Sequence, residues 1–400
     1  MWLNPPRRDR SSLMLDPRAQ RSDAVMLKRL PDLPQARALQ LNLLLRFWRG
    51  ASGFWTQRSG WRVWLLTGLL LSVAAAQLAT QYLLSYWNRD FFNALERKDG
   101  ALLYQQMLLL FSLVGVSTAL AILSVWGRMT TQRLWRLHLT RRLITAWLRH
   151  GRYRLLGHLN GTNPPRNPEY RIAEDARIAT DAPVDLSLSL VSSIVTVLVF
   201  FGILASVGGT LEIRIGALPV SIPAYLGIGV VAYSCLVTAA MLFAGRRFSD
   251  VVQMQMQAEA TFRASANLMR ESGDGLVAAE PEREQRRNLW TGLHDVVERW
   301  RRLCGQHMRT TLVSHANSLL APIVGLLLCV PKYADGSMSL GEVTQAAAAF
   351  ATVQGALNWL VDNFQRMADW RASAVRVGTL LAALDDLPRP FNRRGLNSRN

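Results

Sequence analysis

Marking every Asp, Glu, Lys and Arg divides the chain into charged connections and long charge-free runs. Six runs stand out, at residues 63–88, 101–127, 186–211, 215–245, 310–331 and 343–361, and the shortest has 19 residues. A helix rises about 1.5 Å per residue, so about 20 residues cross the roughly 30 Å hydrocarbon layer of a bilayer. The pattern therefore predicts six transmembrane helices, at about 63–85, 102–126, 186–208, 220–244, 310–331 and 342–361. The sixth is the most polar. Gln345, Gln354 and Asn358 interrupt it and alanine fills its middle, as expected of a helix that borders a wet space.

The connections alternate between long and short. Residues 128–158 contain no proline and repeat Leu and Trp at helical spacing, including Leu134, Trp135, Leu139, Leu143 and Trp147. The second span is thus expected to continue outward as helix until the Gly- and Pro-rich stretch at 160–168 stops it. Helix resumes at Glu169 and runs into the third span. The second long connection repeats the plan, with helix at 250–270, a break at 272–275 and a charged helix at 281–309. Two helical hairpins projecting from the membrane are the expected result. The domain reading is a mobile basic tail at 1–45, a transmembrane domain at 46–385 and a short tail at 386–400. The first 45 residues have no compact apolar stretch of the signal-peptide kind.

Charge gives the orientation. All but three of the 46 cations are Arg, and the formal net charge is +18. Residues 1–62, 128–185, 246–309 and 362–400 carry 12, 11, 11 and 7 of these cations, whereas the three intervening connections carry 3, 1 and 1. The positive-inside bias then puts both termini and both long connections in the cytoplasm. A nucleic-acid-binding protein has no reason to partition arginine in this way, so no nucleic-acid partner is expected. Half of the residues are hydrophobic and 18% charged, which speaks against an ordinary soluble enzyme.

Five strings then resemble the membrane domain of one ABC transporter branch, the SbmA/BacA-like and peroxisomal D-subfamily type. They are YWNRDFFNAL (86–95), LWRLHLTRRLITAWL (134–148), NPEYRIAED (167–175), EATFR (259–263) with LMRE (268–271), and the stretch at 339–373 that begins SLGEVTQ. They occur in family order and cover about residues 45–385. The second-hairpin motif departs from the family pattern at 270–275, which reads RESGDG.

The resemblance implies an all-α membrane protein of the ABC exporter type, six helices with two long cytoplasmic helical hairpins, working as a homodimer in the bacterial inner membrane. It implies large amphiphilic solutes as substrates: peptides, peptide antibiotics or cobalamin. It also implies that Asn167, Pro168, Glu169, Arg171, Glu174 and Asp175 of the first hairpin, with Glu259, Phe262 and Arg263 of the second, touch a nucleotide-binding partner. Taken alone, the charged residues among them read equally as a solvated helix start, where acidic groups suit the positive helix N-terminus.

Chemistry in the chain itself is sparse. A phosphate-binding loop of the G-x-x-x-x-G-K-[ST] type needs lysine after glycine, but Lys28, Lys98 and Lys332 follow Leu27, Arg97 and Pro331. No cofactor or metal is expected in this chain, and ATP would enter only through a partner subunit. The six histidines and three cysteines show no metal or catalytic spacing, and Cys235, Cys304 and Cys329 read as packing residues.

Polar groups inside spans are costly and usually face a bundle interior or water. The candidates for a solute path are Gln77 and Gln81, Asp181 and Asp185, His315 and Asn317, and the stripe Gln354, Asn358 and Asp362. The competing reading is interhelical hydrogen bonding, worth on the order of 1 kcal/mol each. Three energy schemes remain open: a nucleotide-binding subunit in trans, a proton gradient as in the SbmA/BacA-type importers, or none, as in a truncated permease or membrane scaffold.

Overall fold

The computed structural model describes residues 33–56, 60–156, 167–215, 218–273 and 282–386. Its helices are α1 (Leu33–Ala51), α2 (Gly60–Glu96), α3 (Gly100–Leu148), α4 (Ala176–Gly208), α5 (Tyr225–Gly245), α6 (Phe248–Gly273), α7 (Glu282–Ala334), α8 (Leu340–Leu357) and α9 (Trp359–Asp386), and short helical turns lie between some of them. The chain divides into two compact units. One comprises the residues up to Gly60, Leu134–Asp181 and the residues from Asp369; the other comprises Trp61–Arg133 and Ala182–Ala368.

In the first unit, helix starts at Leu33, inside the stretch expected to be a mobile tail ending at 45. The tail's first 32 residues and the expected tail at 386–400, apart from the end of α9, lie outside the described residues. Helix α1 packs on the far end of α9, where Gly378 lies so close to Leu43 that a Cβ there would overlap the Leu43 carbonyl oxygen. The last carbonyls of α1 would be orphaned by helix geometry. Instead the Trp135 indole donates to the Ala51 carbonyl at 3.0 Å and Arg142 donates to that of Gly50 at 3.0 Å. Trp135, buried and ringed by Trp48, Phe54 and Trp55, anchors the unit with Leu139 and Leu143 one and two turns on. Of the residues in the Leu/Trp periodicity, Trp135, Leu139 and Leu143 are buried, whereas Leu134, Leu137 and Leu148 are exposed. The long α-helix ends at Leu148, and a tight turn at Arg149–Gly151, where Gly151 takes a left-handed φ of 70°, leads into a further helical turn at Arg152–Leu156.

Among the described residues, five helices are long and apolar enough to cross a bilayer: Gly60–Glu96, Gly100–Leu148, Pro168–Gly208, Tyr225–Met269 and Arg286–Ala334. The expected sixth span is not among them. Its run is split into α8 and α9 by a turn at Asn358. The all-α expectation is also corrected. Residues Thr210–Ile215 (β1) and Leu218–Pro223 (β2) form an antiparallel hairpin with Thr210 opposite Pro223 and Ile215 opposite Leu218. Pro219 and Pro223 exclude helix there, and alternation in LEIRI suits a strand. The fourth span therefore begins at Tyr225, not near 220.

Long helices α6 and α7 run antiparallel, with Phe262 against Gly292 and Phe248 edge-on to His307 at 5.0 Å. The tips of both expected hairpins, at 157–166 and 274–281, lie outside the described residues. The core gathers Leu204, Leu226, Val230, Phe350 and Val353, with Cys329 buried among them, whereas Cys235 and Cys304 are exposed. Small residues let helices approach: Gly325 of α7 meets Ala347 of α8 closely enough to crowd any Cβ.

Candidate functional site

Two cavities of mixed polar and apolar lining meet near the Asn358 turn. At the turn, the backbone N–H of Asn358 reaches the Gln354 carbonyl at 3.2 Å, and α9 restarts with Val361 and Asp362 donating to the Asn358 carbonyl. Helix α4 holds the interruption in place with two serines one turn apart. Ser193 donates to the Ala356 carbonyl at 2.7 Å, and the Trp359 indole donates to the Ser189 hydroxyl at 2.9 Å. Interrupted backbone at membrane depth is tolerated where protein or a water-lined cavity satisfies it. Here Ser193 satisfies the Ala356 carbonyl, and the turn borders a cavity.

The first cavity, of about 350 Å³, is bordered by Gln77 and Gln81 of α2, Arg128 of α3, Asp185 and a serine-rich face of α4, and Trp359 and Asp362 of α9. Asp185 is its charged centre. Arg366 lies 2.7 Å and Arg128 3.4 Å from its oxygens, and Gln132 donates to it at 2.8 Å. The second cavity, of about 300 Å³, is bordered by Asn317 and Ser314 of α7, Gln354 of α8, Asn358, and Asp362, with Val237 and Met241 of α5 on its apolar side. Asn317 donates to the Gln354 side-chain carbonyl at 3.2 Å. Asp362 borders both cavities, and no cation pairs with it among the described residues.

Two expected path residues fall elsewhere. His315 is exposed and borders neither cavity. Asp181 borders neither cavity; it pairs with Arg177 at 3.8 Å in the first unit. The i, i+4 spacing was right for the helix but silent on the partners that each carboxylate meets.

The NPEYRIAED string lies in the first unit and is used largely within it. Asn167 takes a left-handed conformation with φ of 53°, Pro168 opens the helix, and Arg171–Asp175 form a π-helical turn before α4. That turn buries Asp175 completely, where Arg376 of α9 grips it with Nε and Nη2 at 2.7–3.0 Å. Arg171 donates to the Arg376 carbonyl and the Thr379 hydroxyl. Arg177 donates to Glu174, and this hydrogen bond holds the Glu174 carboxyl below its usual range. Glu169 stays exposed, as does Asn167. On α6, Glu259 accepts from Gln255, Phe262 packs on Gly292 and Arg263 is exposed.

A family model described as ABC transporter transmembrane region 2 matches residues 56–334, well over half of the chain. The chain belongs to the ABC transporter transmembrane region 2 family. It is similar to the inner membrane ABC transporter ATP-binding protein YddA of Escherichia coli, 26% identical over 80% of this chain and 57% of that protein. It is also similar to the uncharacterized ABC transporter ATP-binding protein sll0182 of Synechocystis, at 23% over 82% of this chain and 48% of that protein. A third relative is ABC transporter D family member 2, chloroplastic, of Arabidopsis thaliana, at 21% over 89% and 48%. The chain spans about half the length of the curated relatives it matches. With its five bilayer-length helices, this ABC transporter transmembrane region is a multi-pass membrane protein.

The structure of this transmembrane region also explains two of the strings that carried the resemblance. Asn93, from YWNRDFFNAL, accepts the Gly341 backbone N–H at 2.9 Å, and Glu96 accepts that of Leu340 at 3.3 Å. The free N–H groups opening α8 are thereby capped from α2, beside a capping box between Ser339 and Glu342. Sequence reasoning missed these roles, and it missed Arg128, Arg366, Ser189, Ser193 and Trp359. A serine pair at i, i+4 facing a polar run is a weak signal on its own.

Proposed function

We propose that the chain is the permease component of an ABC-type transporter, moving large amphiphilic solutes such as peptides, peptide antibiotics or cobalamin across the inner membrane as a homodimer. A nucleotide-binding unit outside these 400 residues energises it, consistent with three lysines that none follow glycine. The observation that carries this reading is the pair of cavities meeting near the Asn358 turn in a chain of the transmembrane-region family. A path for amphiphiles needs polar groups at bilayer depth beside apolar walls, and both cavities offer that mixture. The termini and both long connections are assigned to the cytoplasm by the arginine distribution. Exposed Asn167, Glu169 and Arg263 are the groups left to meet the nucleotide-binding unit.

A second reading, a proton-coupled importer, draws on the Asp362 carboxylate that borders both cavities without a cation partner. Uptake of a labelled amphiphilic peptide by cells that express the chain separates the schemes. ATP depletion abolishes uptake and an uncoupler leaves it intact in the proposed mechanism. The opposite pattern establishes the proton-coupled importer, and no uptake under either condition establishes an inert scaffold.

A further inference from the structure

We propose that the 300 Å³ cavity between α5, α7 and the Asn358 turn is a subsite for a primary ammonium group of the transported solute. The assignment rests on the solute-path reading and names the chemistry that this part of the path recognises.

Buried polar atoms are nearly always hydrogen-bonded, and orphans call for an explanation. Here three converge. Gln354 is only 3% exposed, yet its Nε2 has no partner; Asn317 Oδ1 and Asn358 Oδ1 are likewise buried and unpartnered. The Asn317–Gln354 hydrogen bond does not remove the problem. Turning both amides over preserves that bond and exchanges the two roles, so in either assignment this amide pair offers the cavity one unused acceptor and one unused donor. Asp362 adds a carboxylate, and none of the described residues bordering the cavity is basic. The contrast with Asp185 is sharp, since two arginines lie within 3.4 Å of that carboxylate.

Two unused acceptors and the Asp362 carboxylate outnumber the one unused amide donor, and they call for a cation rich in N–H donors; the remaining amide N–H is left for an acceptor elsewhere on the solute. The acceptors come from three separate places: the Asn317–Gln354 amide pair between α7 and α8, Asn358 at the turn and Asp362 on α9. A tetrahedral ammonium carries three donors that diverge toward such a tripod, whereas a guanidinium presents a planar fork suited to one carboxylate. A quaternary ammonium is recognised by aromatic rings, and no aromatic residue borders this cavity among the described residues. Val237 and Met241 of α5 supply an apolar wall for the carbon skeleton that carries the amine.

The test uses the purified full chain in detergent and calorimetric titration with benzylammonium, benzyltrimethylammonium and benzyl alcohol. Saturable binding of benzylammonium, with the other two at least tenfold weaker, is expected. Asp362→Asn and Asn317→Ala should each weaken benzylammonium by about tenfold or more. Equal affinity for the three probes would overturn the proposal, as would displacement of benzylammonium by millimolar sodium but not by choline, which would assign the site to a metal cation. Because the three probes are compared on the unaltered chain, the result stands even where a variant misfolds. Peptide uptake that fails while benzylammonium binds selectively removes the permease reading alone; intact uptake without selective binding removes the subsite alone.

Discussion

Asp175 carries its charge with no exposed surface, and the Arg376 fork compensates it, from 201 positions away in the chain. Breaking a buried pair by removing one member typically costs about 3–5 kcal/mol because the other charge is left uncompensated. The Arg376 side chain is 44% exposed, so solvent reduces that penalty here. We expect Arg376→Ala to destabilise the chain by about 2–3 kcal/mol, measured by thermal unfolding in detergent. Arg376→Lys should recover only part of the loss, since a lysine cannot reproduce the two-pronged grip. Gly341 offers a second test. A Cβ there would overlap the Arg89 carbonyl oxygen, so Gly341→Ala should cost about 1–3 kcal/mol by overpacking. The motif around Asp175 was legible in the sequence as a string, but its use was not. Spacing along a chain places Arg171 and Asp175 on one turn and is mute about a residue two hundred positions on. Gln354, Asn358 and Asp362 border one cavity although the turn at Asn358 breaks the single helix that their i, i+4, i+8 spacing assumed, whereas His315 and Asp181 border neither cavity.

Charge-free runs located every bilayer-length helix but misjudged two elements. A run registers only missing charge, so it passed through Pro219 and Pro223 and missed the β1–β2 hairpin, whose alternation of Ile with charged residues was the available signal. It also passed through Asn358, where the polar face that α8 shows to the cavities gives way to a turn. That turn depends on neighbours that no local pattern reveals, Ser189 and Ser193 of α4. Replacing Ser193 by Ala and Trp359 by Phe together should remove both side-chain supports and cost about 1–2 kcal/mol, at roughly 0.6 to 1 kcal/mol for each hydrogen bond inside a membrane bundle. Chemical unfolding in mixed micelles measures this. Asp362→Ala removes the carboxylate common to both cavities; we expect uptake to fall about tenfold at unchanged expression, since each 1.4 kcal/mol lost in the path is a factor of about ten. Unchanged uptake would take Asp362 off the path.

At the scale of the molecule, lipid replaces water as the surrounding solvent. Phe111 is 74% exposed and Leu198 69%, and none of the apolar window of Gly100–Leu148 is buried within the chain. Such surface would be an aggregation hazard in water and is ordinary against acyl chains. Arginine is segregated along the sequence accordingly, and reporter tags on the two ends should be accessible from the same side of the membrane. The central claim is that the Asn358 turn borders an aqueous solute path while the apolar flanks face lipid. Thiol reactivity decides it, because a water-soluble maleimide modifies only hydrated thiolates. With Cys235, Cys304 and Cys329 replaced, Gln77→Cys and Asn358→Cys should label in membrane vesicles, whereas Leu198→Cys and Phe111→Cys should stay unreactive. Equal labelling at all four positions, or labelling confined to Leu198→Cys and Phe111→Cys, would contradict the account.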